Sequence, residues 1–128
     1  MSDLQVIEKD NISHTQIVKY AGASGDFNPI HTVVPIAKSV GLPDVIAHGM
    51  LVMGMAGDAL TQWFPRKDLR KFKVRFSKMT FPGEKLSISG KIVEEKNEDG
   101  DTILCGRILV QNENEELKLK GDFEVVKN

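Results

Sequence analysis

The chain has 128 residues, 41% hydrophobic and 27% charged, and its 17 basic and 18 acidic side chains leave a net charge of -1. That length supports one domain, residues 1–128, with a real core and no need of metal or disulfide staples. The balanced charge leaves no electrostatic footprint for nucleic acid or an anionic membrane as partner. The single cysteine, Cys105, excludes an internal disulfide and fits a reducing, cytoplasmic setting.

Taken in chain order, residues 5–8 read as a short strand. Ser13 opens a helix, with Gln16 three residues on as its capping-box partner and Ile17, Val18 and Ala21 as its apolar face. Gly22 and Gly25 are expected to break that helix and begin a polar loop. Residues 35–40 form a short helix stopped by Gly41 and Pro43. The most apolar stretch, residues 45–64, contains His48 and Asp58 and reads as a buried helix, not a membrane span. Its Met, Leu and Ala residues occupy more than half the helix circumference, which predicts burial on most sides.

After Pro65 the hydrophobic period changes to two. Phe72, Val74 and Phe76 alternate with Lys71, Lys73 and Arg75; Leu86, Ile88 and Ile92 follow; then Leu104, Gly106, Ile108 and Val110; then Leu117, Leu119, Gly121, Phe123 and Val125. Turns are expected at Pro82-Gly83, at residues 97–101 and at residues 112–115. Strands joined by short hairpins make an antiparallel sheet, and one long helix against such a sheet is an α+β architecture.

The polar loop holds the chemistry. Gly25-Asp26-Phe27-Asn28-Pro29-Ile30-His31 places a carboxylate and an imidazole five residues apart, and together they can take a proton from a water and return one elsewhere. Pro29 fixes φ and helps hold them in register. The same residue types also serve as turn formers and caps, so the loop alone leaves both readings open. A second string, Ala47-His48-Gly49-Met50-Leu51, opens the long helix, where free N–H groups and the positive dipole end suit an oxyanion, with Gly49 offering no side chain in the way. His48 can equally be a buried helix-start residue bonded to backbone.

Residues 20–31, followed after five residues by Ala37, resemble the hydratase motif of the MaoC-like family: an aromatic, small residues, Gly-Asp-x-Asn-Pro, an aliphatic and His. Ile46-Ala47-His48-Gly49-Met50-Leu51 is similar to that family's central helix start. Residues 20–63 resemble especially the β-type catalytic subunit of mycobacterial (3R)-hydroxyacyl-carrier-protein dehydratases. The resemblance implies a hotdog fold, a long central helix wrapped by a curved antiparallel sheet. It also implies (R)-specific hydration of trans-2-enoyl thioesters, or the reverse dehydration of (3R)-hydroxyacyl thioesters, without cofactor or metal. By position, Asp26 and His31 would activate water and the Gly49 N–H would polarise the carbonyl, with Asn28, His48 and Met50 at the substrate.

Relatives of this kind often carry an acid where this chain has Val33. Arg66 and Lys67 begin a basic cluster running to Lys78, either a solvated face or a contact for coenzyme A phosphates or an acidic acyl carrier protein. The expected assembly is a homodimer or a heterodimer with a related hotdog subunit. A thioesterase on the same fold, or a non-catalytic subunit, are the competing functions; the Asp-x-Asn-Pro-x-His spacing favours the hydratase.

Overall fold

The structure, a computed structural model, describes residues 2–127. Two short strands, β1 (Ser2–Asp3) and β2 (Ile7–Glu8), precede three helices: α1 (His14–Ser24), α2 (Val34–Ser39) and α3 (Gly49–Trp63). Four long strands follow: β3 (Leu69–Phe76), β4 (Ser87–Glu98), β5 (Asp101–Gln111) and β6 (Leu117–Val126). The antiparallel sheet runs β1-β4-β5-β6-β3, with β2 also on β4. It packs on α3 in the hotdog arrangement the resemblance implied, and β3 is an outer strand with one side unpaired.

Local chemistry sets the helix boundaries. Ser13 Oγ accepts from the Gln16 N–H at 3.0 Å, so the expected cap is made. The helix passes through Gly22 and ends at Gly25, whose φ of 76° lets its N–H return to the Ala21 carbonyl. Gly22 meets no reason to stop a helix in mid-turn, since only its propensity is poor. In the β4–β5 hairpin, Asp99 and Gly100 take φ of 51° and 86°, the left-handed pair that matches strand twist.

The core lies between α3 and the inner sheet face. Val52, Ala56, Ala59 and Leu60 of α3 pack among Ile88, Ile108, Leu119, Phe123 and Val125. Each fully buried large aliphatic contributes roughly 1.5–3 kcal/mol. The expectation that α3 is buried on most sides is corrected: within the chain one face is covered, while Met50 is 58% exposed and Gly54, Asp58, Thr61 and Gln62 are also exposed. The sheet curls over one side of the helix only. On the inner face Phe123 lies flat against Gly106, where an added Cβ would fall 2.2 Å from the ring.

Strict alternation fails at one place in β6. Val110 stands opposite Leu119 but Gln111 opposite Leu117, so the register skips Lys118. Lys118 turns inward and is 3% exposed. Its Nζ donates to the Met79 carbonyl at 2.7 Å and to Glu84 Oε1 at 2.8 Å. Glu84 also accepts from the Phe81 N–H (2.6 Å) and Asn112 Nδ2 (2.7 Å). Burial pushes the Glu84 carboxyl up, but Lys118, the Phe81 N–H and Asn112 outweigh it and hold it below its ordinary value. The segment this pair secures runs on to Thr80, whose carbonyl accepts from the Ala47 N–H at 2.8 Å, two residues before α3.

Candidate active site

The loop between α1 and α2 is built from nested side-chain caps. Ser24 Oγ accepts from the Asp26 N–H, Asp26 Oδ1 from the Asn28 N–H and Asn28 Oδ1 from the Ile30 N–H, each at 3.2 Å. Asn28 thereby starts a 3-10 turn, Pro29–His31, with Pro29 in its first turn. His14 Nε2 meets the Thr32 carbonyl at 2.9 Å and ties the turn back to α1. Val33 stands at the N-cap of α2 and gives no side-chain cap bond.

This scaffold presents a carboxylate and an imidazole. His31 is 8% exposed and its Nδ1 lies 2.7 Å from the Ile46 carbonyl. A carbonyl only accepts, so Nδ1 carries a proton, and Nε2 is the nitrogen left to exchange one. That Nε2 faces Asp26 Oδ2 at 3.9 Å, and the Asp26 side chain is 53% exposed. A water at the apex of a triangle over this gap reaches both atoms at hydrogen-bond distance.

The start of α3 forms the facing wall. The Leu51 and Val52 amides turn back to the His48 carbonyl, whereas those of Gly49 and Met50 meet no protein acceptor among the described residues. Asp26, His31, His48, Gly49 and Met50 together line a cavity of about 360 Å³, closed by Tyr20 and Phe76. A smaller cavity of about 190 Å³ continues past His31, Gly49 and Phe76 towards Thr80 and Lys118. A Cβ at residue 49 would sit 3.3 Å from the Phe76 ring, so glycine is what lets that ring cover the helix start.

His48 is 2% exposed; its ring stacks on His31 at 3.8 Å and 20° and meets Tyr20 edge-on at 4.9 Å. Its Nε2 lies 3.0 Å from the Asp26 carbonyl, and its Nδ1 has no partner among the described residues. Asp26, His31 and His48 hold possible ligand atoms within 4.8 Å of one another. The stacked rings do not suit a metal: an ion about 2.0–2.1 Å from both nitrogens must lie near both ring planes, and planes this close to parallel do not meet within such reach.

Asn28 lies outside this cavity, its side-chain oxygen spent on the loop. Arg66 and Lys67 lie beyond the other end of α3, which at ~1.5 Å per residue is roughly 22 Å from Gly49. The structure adds Phe76 and Tyr20 to the site; Tyr20 heads the 20–31 motif and Phe76 ends the alternating run of β3, the signals the sequence carries for them. A concavity of about 700 Å³ lies elsewhere, between the N-terminal segment and outward-facing Lys91, Arg107 and Lys120, and holds no acid–base pair of this kind. Burial first, then Glu124, pushes the Cys105 thiol up, which keeps it un-ionised and a poor nucleophile.

Residues 3–115 match the MaoC-like domain. The chain belongs to the MaoC-like domain family. It is 36% identical over 118 residues to the fatty acid synthase β subunit pkiC of Emericella nidulans, covering 83% of this chain and 6% of that protein. It is 30% identical over 115 residues to the probable enoyl-CoA hydratase 2 of Dictyostelium discoideum, covering 81% of this chain and 39% of that one. The MaoC-like chain therefore spans well under two thirds of either relative. Among solved structures, the ChsH1-ChsH2 complex of Mycobacterium tuberculosis superposes with a TM-score of 0.84 at 16% identity, over 99% of this chain and 96% of that one, a likeness of fold. No helix among the described residues is long and apolar enough to cross a membrane.

Proposed function

We propose that this MaoC-like chain, as a single hotdog unit of residues 1–128, catalyses (R)-specific hydration of trans-2-enoyl thioesters and the reverse dehydration of (3R)-hydroxyacyl thioesters. The acyl carrier is coenzyme A or acyl carrier protein, and the setting is the cytoplasm. The observation that carries the reading is the Asp26 Oδ2 to His31 Nε2 gap of 3.9 Å opening into the cavity that the unpartnered Gly49 N–H also faces.

Water held in that gap gives a proton to His31 Nε2 as its oxygen bonds to C3 of the enoyl group. Asp26 accepts the water's other hydrogen bond and offsets the charge of the imidazolium. The electrons of the C2–C3 double bond move onto the thioester oxygen, where the Gly49 N–H and the positive end of α3 stabilise them. The imidazolium then returns a proton to C2, so hydration is neutral overall. Met50 and the His48 ring border the acyl group. (R) selectivity rests on the family resemblance.

We also infer a dimer, with a second copy or a related hotdog subunit. The free side of β3 and the exposed Met50, Phe76 and Met79 near the site need cover. Antiparallel pairing of two β3 strands would bring one protomer's Arg66 and Lys67 towards the other's Phe76, which is how these cations would meet a carrier.

The test is to incubate the protein with crotonyl-CoA and follow both enoyl absorbance and free thiol. Loss of the enoyl band without thiol supports hydration. Thiol release, which removes the same conjugated thioester band, would move the assignment to a thioesterase, and a retained band with no thiol would remove the enzymatic reading.

A further inference from the structure

We propose that His48 is a positioning residue that clamps the Asp26 loop onto the start of α3; the inference rests on the hydratase reading for its kinetic consequence. Asp26 lies in an exposed stretch, residues 24–28, whose other hydrogen bonds are local. Among the described residues, the bond from His48 Nε2–H to the Asp26 carbonyl, 3.0 Å and 22 positions away in the chain, is the one that ties residues 26–28 to a distant element.

The orphaned nitrogen explains why an imidazole stands there. With Nε2–H donating, Nδ1 is a buried acceptor lone pair that meets no donor, a cost that any apolar ring in the same slot would escape. His48 is almost fully enclosed, between the stacked His31 ring and the edge of Tyr20. Packing alone would be served better by phenylalanine. What phenylalanine lacks is the donor, so the donor is what the position retains at that cost.

The clamp also joins two halves of the site. His48 precedes Gly49, so a hydrogen bond from its ring to the Asp26 backbone sets the carboxylate against the very helix turn that holds the oxyanion N–H. The stack on His31 fixes the third group from the side. The charged and titratable groups around His48 are His31, Tyr20 and Asp26, and His48 touches no reacting atom in the mechanism above.

Three variants separate the clamp from packing. His48→Phe keeps the ring and stack but loses the donor; His48→Gln keeps a donor of similar reach; His48→Asn carries a donor too short to reach. With crotonyl-CoA, His48→Phe and His48→Asn are expected to lose about 10–100-fold in kcat with KM little changed, as small misplacements of a catalytic group do. His48→Gln is expected to recover most of that rate, even where its melting temperature falls below that of His48→Phe. A second readout needs no substrate: hydrogen exchange of the Asn28 and Ile30 amides should be faster in the Phe and Asn variants than in wild type or Gln.

Equal kcat in wild type and His48→Phe, or equal losses in Gln and Asn with unchanged exchange, would overturn the clamp. Should His48→Phe not fold, the Gln–Asn comparison decides. Wild type that hydrates no enoyl thioester would sink the hydratase reading, while the exchange measurement still judges the clamp.

Discussion

Glu84→Gln tests whether the buried pair behind the site holds it together. Lys118 is 3% exposed and the Glu84 side chain 15%, so removing the carboxylate charge leaves an ammonium with little water to turn to. Every partner of Glu84 is a donor: the Phe81 N–H, Asn112 Nδ2 and Lys118 Nζ. A glutamine amide there must set its own NH2 against one of them. Breaking a buried pair from one side costs about 3–5 kcal/mol, which for a chain of this size lowers the melting temperature by roughly 11–19 °C. Lys118→Met should cost less, about 1–3 kcal/mol, because Glu84 keeps two donors and some solvent. The double variant should then be more stable than the sum of the singles by about 1–3 kcal/mol. Urea denaturation gives all four corners of the cycle. The carboxyl is held below its ordinary value, so its contribution is complete above the unfolded-state value of about 4.3 and fades as pH falls through the lower folded value. Wild type should therefore lose stability below about pH 4, and Lys118→Met should flatten that acid limb. A Glu84→Gln loss under about 1 kcal/mol, or an acid limb unchanged by Lys118→Met, would refute the reasoning.

The remaining predictions concern the site and the helix. Asp26→Asn or His31→Ala should lower hydration turnover by at least about 10²-fold with the circular dichroism spectrum retained; near-normal turnover in either folded variant removes the pair from the mechanism. Gly49→Val should lower turnover sharply with modest loss of thermal stability, since the half-exposed Phe76 ring can yield to the new side chain while the thioester carbonyl cannot share its place. Full activity in that variant refutes the oxyanion role. At Gly54 an added Cβ faces open space, so Gly54→Ala should stabilise α3 by up to about 1 kcal/mol, read from the melting temperature. Light scattering should show a dimer, alone or with a hotdog partner; a stable monomer at micromolar concentration in both cases would defeat the edge-pairing inference.

Much of the site was legible because its chemistry is local. A run of Asp, Asn, Pro and Gly can satisfy itself with caps and turns inside a few residues, and the nested bonds from Ser24 to Ile30 do so. The switch from helical to alternating periodicity likewise marked the sheet. What the sequence could not show depends on distant register. Lys118 reads as an outward residue in an alternating strand, and only the skipped position in β6 turns it in. Residue type does not reveal that the Asn28 amide oxygen accepts from the Ile30 N–H within the loop. Arg66 and Lys67 follow the helix in the chain, yet fifteen helical residues separate them from its business end.

The contact between Gly106 and Phe123 has a consequence beyond this one molecule. The two positions share a single volume, since a methyl group at 106 and the ring at 123 cannot both be present unless the buried ring or the backbone shifts. Either side is immutable towards greater bulk while the other stays as it is. A lineage can enlarge residue 106 only after residue 123 has shrunk, so the permitted route passes through a cavity-bearing intermediate. The pair should therefore drift together across descendants of this chain, an evolutionary ratchet whose order of steps is dictated by steric exclusion and not by the reaction.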